Sequence, residues 1–457
     1  MSEVKLSHKL KNRHLQMIAL GGVIGTGLFF GTAKSIHATG PSIILGYILG
    51  GMVMYIILRA LGEMTVDSPS SGSFSEYANR YVSNYAGFIS GWSAWFQYTI
   101  VCMVELTAVN IFLKSLMPEI YLYVQPWMVC LIVLVIFTLI NLLSVKVFGE
   151  FEFWFAGIKV AAIIMMLIFS AYLIIMFQDK LNPNVAQYLQ PDIFFAGGLK
   201  GFVISLVAIV FSFGGSEFVS IAAGESENPQ KNVPQAINGV IIRIILFYVL
   251  TMVAIILLYP YQKLSTNISP FVDVFRQMNL PAAGMIMNIV AITAALSALN
   301  SCLYSASRMM LNLSQNGYAP KTLSTNKNGE PVHIPRKTIF FTSIAVAFTV
   351  LINYLFPEKA FMYLLIIATS AILIVWFMIL ITQIYFRRYK NSINGPIDYK
   401  LGLFPYSNIF AIIGLVVVMA GMTCIDDMRL SLYITPLWIL VLSVFYAIHK
   451  GKIKRIK

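Results

Sequence analysis

Charge is scarce in this chain. Of 457 residues only 11% are Asp, Glu, Lys or Arg, while 58% are hydrophobic, far from the roughly 25% charged that soluble globular domains carry. So few charges cannot cover the surface of a soluble protein this large. Cysteine is nearly as rare: Cys102, Cys130, Cys302 and Cys424 are all of it, each inside an apolar run, with no C-x-x-C spacing and no histidine partners. A disulfide framework and a metal site are therefore not expected. The five histidines sit near the ends of apolar runs, which leaves no nucleophile with a base for a membrane-embedded enzyme. Acidic residues are outnumbered 19 to 32 by basic ones, for a net charge of +13.

What the chain does have is apolar runs of spanning length, about 17 to 25 residues each. They are read near 15–36, 42–62, 85–113, 125–145, 154–177, 198–223, 237–258, 283–312, 338–355, 359–386, 408–425 and 433–449. The expected fold class is an all-α polytopic membrane protein with twelve transmembrane helices. The first run is too long for a signal-peptide core and lacks a small-x-small cleavage site, so an uncleaved anchor is expected.

The basic residues set the orientation. Lys5, Lys9, Lys11 and Arg13, then Lys321, Lys327, Arg336, Lys337, Arg387, Arg388, Lys390, Lys400 and the terminal "HKGKIKRIK" fall on one side of a twelve-span chain. By the positive-inside rule that side, with both termini, faces the cytoplasm. The excess charge then reports topology and attraction to anionic membrane lipid, not nucleic-acid binding. The expected organisation is a basic tail 1–14, a transport core 15–386 in two halves (15–177 and 198–386), a cytoplasmic loop 387–407, two peripheral helices over 408–449, and a basic tail 450–457.

Two runs contain glycines where a helix should be firm. In "GGVIGTGLFFGT" four glycines, Gly21, Gly22, Gly25 and Gly27, fall within seven residues, and each weakens a helix interior by about 1 kcal/mol relative to alanine. Gly21-x-x-x-Gly25 and Gly27-x-x-x-Gly31 also read as small-xxx-small packing faces. The sixth run favours a site over packing, because its "FSFGGSEF" sets Gly214 and Gly215 among Ser212, Ser216 and Glu217. Each interruption opens a block of five spans, the pattern of inverted-repeat secondary transporters whose substrate lies between two broken helices. The half-helix ends offer positive and negative poles, and a zwitterion matches both.

Taken together, "NRHLQMIALGGVIGTGLFFGT", "ALGEM", "NLLSVKVFGEFEFWFAGIKV", "FSFGGSE", "AAGESENPQKNVPQAI" and "SALNSCLYSASRMM" resemble the amino acid transporter family of bacterial permeases, within the amino acid–polyamine–organocation superfamily. The resemblance implies a five-plus-five inverted repeat with helices 1 and 6 broken, plus two C-terminal helices. It implies that the substrate carboxylate meets amides of Gly25, Thr26 and Gly27, and that its ammonium meets carbonyls of Val23, Phe211 and Gly214. The Phe211 ring would cover the substrate, with Ser212 beside it, and Glu217 would serve gating or proton exchange.

Intramembrane charge is expensive and points to function by default. The resemblance places Lys159, in "GIKV", where sodium-coupled relatives hold their ion, so proton symport is expected without a cofactor. Glu105, mid-way along the third run, is expected to face the substrate. Arg243 is read as an anchor or a partner for a loop acid, and Glu63, Glu150, Glu152, Glu225 and Glu227 as structural ion-pair partners at span ends. "SPFVDVF", "NIVAITAALSALNS" and "MILITQIYFRR" look most like the proline and neutral amino acid branch, so the expected substrate is a neutral α-amino acid, proline first. A cationic, lysine-type permease and an amino acid antiporter are the alternatives; a channel or a sensor fits less well. The protein is expected to act as a monomer or weak oligomer in the bacterial cytoplasmic membrane.

Overall fold

A computed structural model describes residues 10–143, 145–176, 185–266, 268–325, 335–423 and 429–449. Lys5, Lys9, Lys180, Lys327, Cys424 and the tail 450–457 lie outside the described residues. The apolar runs are helical, and an isolated β-bridge joins Leu10 and Ser226.

The principal helices of the first half of the chain are α1 (Asn12–Gly21), α2 (Thr32–Thr39), α3 (Ile43–Asp67), α4 (Asn84–Leu116), α5 (Pro126–Asn141), α6 (Val145–Met176), α7 (Gly198–Phe213) and α8 (Phe218–Ala223). After them come α9 (Pro229–Leu258), α10 (Pro281–Gln315), α11 (Arg336–Leu355), α12 (Ala360–Ser392), α13 (Tyr406–Thr423) and α14 (Arg429–His449). Nine helical stretches among the described residues are long and apolar enough to cross a membrane; α5 and the apolar part of α14 are shorter. The chain is a multi-pass membrane protein. Proline begins α5, α9 and α10, where its fixed φ suits the first turn and its missing N–H costs nothing. Ser83 caps α4 by accepting from the Ala86 amide at 3.1 Å, satisfying one of the four unpaired donors there.

The centre of the bundle is α4 and α12, the most deeply buried of the long helices, while α6 and α13 bury the least. α10 and α12 both pack along α4, and α1 packs on α6. Ile132, Leu139, Ile168, Ile175 and Leu437 remain on the outside, as expected where lipid replaces water as the solvent.

Three of the five acids read as ion-pair partners take that role. Glu63 pairs with Arg387 (2.7 Å to Oε2) and also accepts from the Leu401 amide at 2.7 Å; Glu150 meets Arg13 and His14; Glu225 pairs with Arg308 at 3.1 Å. Glu227 is exposed. Glu152 departs from the expectation: it is fully buried and accepts from the Ser297 hydroxyl at 2.5 Å. It stands two turns into α6, and the packing of α1 and α10 over that turn places it inside. Arg243 holds no acid either, since it donates to the Gln16 side-chain oxygen at 2.7 Å.

Candidate functional site

Two helical paths are interrupted. The first stops at Gly21, runs as a tight turn through Gly22 to Gly25, and resumes as a π-helical turn over Gly27–Gly31 before α2. The second stops at Phe213 and resumes at Phe218. Gly215 has φ +94°, a conformation that L side chains rarely adopt. A Cβ there would lie 2.5 Å from the Gly22 carbonyl oxygen, so the two interruptions touch.

Unwinding frees backbone groups that hydrocarbon cannot satisfy, at several kcal/mol each. Side chains from neighbouring helices supply partners. Lys159, fully buried on α6, donates from Nζ to the carbonyls of Gly21 (2.7 Å) and Ile24 (3.0 Å) and to the Ser297 hydroxyl (2.9 Å). The Tyr248 hydroxyl lies 2.9 Å from the Val23 carbonyl oxygen and 3.1 Å from that of Ser212, bridging both breaks. On α4, Glu105 Oε1 accepts from the Thr26 hydroxyl at 3.0 Å and from its amide at 3.4 Å, while Oε2 has no partner.

Glu217 closes the second break. Its carboxylate, fully buried, accepts from Gln97 Nε2 at 2.5 Å and from Trp376 Nε1 and the Ser216 hydroxyl at 3.5 Å each. Neutral donors hold it, so no cation locks this carboxylate in place.

Between the breaks lies a cleft whose lining includes Val23, Gly25, Gly27, Glu105, Phe211, Ser212 and Gly214. Seven of the residues picked from sequence thus share one wall. Thr26 sits behind Glu105, and Lys159 and Glu217 stand behind the two breaks rather than in the cleft. Gly22, Val101 and Ala298 complete the lining; the last two, as small apolar residues within apolar helices, give no signal of their own.

Some details differ from expectation. The Val23 carbonyl, assigned to the substrate ammonium, is taken by Tyr248. An aromatic residue in an apolar run reads as core, so Tyr248 was not singled out, and neither were Gln97, Trp376 and Ser297. The Ser212 hydroxyl turns to the Ala208 carbonyl of its own helix at 2.9 Å, leaving its backbone to face the break. Gly27 is a true close approach, because a Cβ there would lie 2.6 Å from Ser212 Cα. Gly31 is not: nothing lies within 4 Å of its missing Cβ, so the second small-xxx-small pattern packs nothing at that end.

The site therefore presents the backbone of two helix breaks, one carboxylate with an unpaired oxygen, and an apolar wall; of the groups expected for the substrate, the Gly25 amide donates to the Val23 carbonyl at 3.1 Å, the Gly214 amide to the Phe211 carbonyl at 3.1 Å and the Thr26 amide to Glu105. That set can meet charge at both ends of a small molecule. A family model described as amino acid permease matches residues 14–455. The chain is 41% identical over 454 residues to the aromatic amino acid transport protein AroP of Escherichia coli strain K12, covering 99% of this chain and 98% of that one. It is likewise 41% identical over 456 residues to AroP of Salmonella typhi, and 37% identical over 455 residues to the amino-acid permease AapA of Bacillus subtilis strain 168, covering 99% and 97%. These relatives are transporters rather than enzymes, and the chain described here, on its sequence and over nearly its whole length, belongs to the amino acid permease family of the amino acid–polyamine–organocation superfamily.

Proposed function

We propose that this permease imports a neutral α-amino acid by proton symport through alternating access, with the substrate held between the two breaks. The observation that carries the reading is the placement of Lys159. Its ammonium rests on two carbonyls of the first break and a hydroxyl of α10, an oxygen set of the kind that binds a small hard cation. A protonated lysine there does what a bound ion would do, and a neutral one releases the break.

The core would comprise ten helices over 15–386 as two inverted halves, with two more helices over 408–449 and both termini cytoplasmic in the bacterial cytoplasmic membrane. The substrate carboxylate would take amides of Gly25 to Gly27, and its ammonium carbonyls of Phe211 and Gly214 and, in exchange for the Tyr248 hydroxyl, of Val23, with the Phe211 ring over it. For the side chain, the names of the relatives favour an aromatic amino acid over the proline put first from sequence.

Reconstitution into proteoliposomes tests all of this at once. Labelled aromatic amino acids should accumulate under an inward proton gradient and be indifferent to sodium. Uptake that requires sodium, or accumulation only by exchange for an internal amino acid, removes the symport reading. Strong competition by lysine and none by phenylalanine or proline removes the neutral one.

A further inference from the structure

The stretch "SALNSCLYSASRMM" contains more polarity than a packing helix needs. Ser297, Ser301, Tyr304 and Arg308 recur at steps of four, three and four, which places them on one face of a helix. On α10 that face is buried, each of the four being at most 3% exposed.

At its start Lys159 Nζ donates to the Ser297 hydroxyl at 2.9 Å, and that hydroxyl donates to Glu152 Oε1 at 2.5 Å. Beside the Glu152 carboxylate stand Ser301 and Asn300, both buried and directed at it. Next along the face comes the Tyr304 hydroxyl, beside the Glu225 carboxylate, with the Arg308 guanidinium 3.9 Å above its ring. Arg308 ends the face by pairing with Glu225 at 3.1 Å, and the Glu225 carbonyl accepts from the Leu10 amide. Polar groups thus continue along this face from the Glu152 carboxylate to that of Glu225.

A buried lysine and glutamate held only for stability would be in direct contact, since separation forfeits the attraction that offsets their desolvation. Here a hydroxyl separates them, and a hydroxyl both accepts and donates. We propose that Glu152 is the proton acceptor of Lys159, reached through Ser297, at the head of the polar face of α10 that leads to the Glu225–Arg308 pair. The proposal rests on the proton-symport reading above.

In the transfer an N–H bond of the Lys159 ammonium breaks as an O–H bond forms on Ser297, whose original O–H breaks as its proton passes to Glu152. Lysine ends as a neutral amine, glutamate as a neutral acid, and serine unchanged. The pair carries no net charge before or after, so the step strands no ion in the low-dielectric interior. The other charged group facing Lys159 is Glu105, across the first break, and Lys159 is the charged group that faces Glu152. The neutral amine loses the charge-assisted part of its bonds to Gly21 and Ile24, which loosens the break.

The test separates net transport from exchange. In proteoliposomes, Glu152→Gln and Ser297→Ala should each lose proton-driven accumulation by at least about tenfold, a modest share of what a positioned proton-transfer group contributes. Counterflow against internal unlabelled substrate, which needs no net proton release, should fall far less, and Ser297→Thr, which restores the hydroxyl, should recover accumulation. Proton-driven accumulation that survives in either Glu152→Gln or Ser297→Ala overturns the relay, as does loss of counterflow in parallel with accumulation in both. Sodium-driven uptake by the unaltered protein removes the coupling reading, and the relay with it.

Discussion

The Glu105 carboxylate accepts from both the hydroxyl and the amide of Thr26, at 3.0 and 3.4 Å, and so rests on the central member of the amide set proposed for the substrate carboxylate. Two carboxylates directed at one set of donors repel. Lys159 and Glu217 are the other charges facing this part of the site.

The sign of the resulting pH dependence follows. Protonated Glu105 admits the substrate carboxylate and ionised Glu105 opposes it, so affinity should fall as pH rises through the titration of this group. Binding isotherms measured across pH should show that fall in the unaltered protein and a flat profile in Glu105→Gln. The same slope in both would assign the effect to another group.

Tyr248 holds the Val23 and Ser212 carbonyls with one hydroxyl. Tyr248→Phe removes the one proton these two acceptors share, while Val23 keeps the Gly25 amide at 3.1 Å; at about 1–3 kcal/mol for an unsatisfied group, it should lower the melting temperature in detergent. An arriving ammonium can take the vacated carbonyls, so added substrate should raise the melting temperature of Tyr248→Phe more than that of the unaltered protein. An equal rise in both would mean that the ammonium binds elsewhere.

Lys159→Ala removes the ammonium from the Gly21 and Ile24 carbonyls. Proton-driven uptake should fall sharply while substrate binding is partly retained, as read by equilibrium binding beside flux. Accumulation that still follows the imposed proton gradient would exclude Lys159 from coupling.

The glycines of the first break should separate into two groups. Gly27→Leu drives a side chain into the backbone at Ser212, and Gly25→Leu meets Glu105 Oε1 at 3.0 Å and Ala298 Cβ at 3.2 Å; both should abolish binding. Gly31→Leu enters open space and should stay within about 0.5 kcal/mol of the parent, as substitutions away from packed features do. Size-exclusion profiles with ligand binding on the same samples decide it; equal loss at all three would restore the packing reading.

The backbone of this site was legible because glycine inside an apolar run has few explanations, and two such places in corresponding spans have fewer. Lys159 was legible because charge in a membrane span demands a partner. Glu152 was not, since distance along the chain placed it near a span end; only the packing of α1 and α10 turns that end inward. Tyr248 was hidden for a different reason. Its ring suits a core as well as a site, and the π-helical turn Ile245–Val249 that contains it leaves no mark in a hydrophobic pattern.

The two interruptions meet backbone to backbone, with Gly22 against Gly215 and Gly27 against Ser212. The points where the helices are softest are thus also where the two paths are pressed together. If either path tilts there, that contact acts as a fulcrum: the helix ends sweep the largest arc, and the cleft between the breaks moves least. A lever of this kind would exchange which side of the membrane is open while its cargo stays almost where it was.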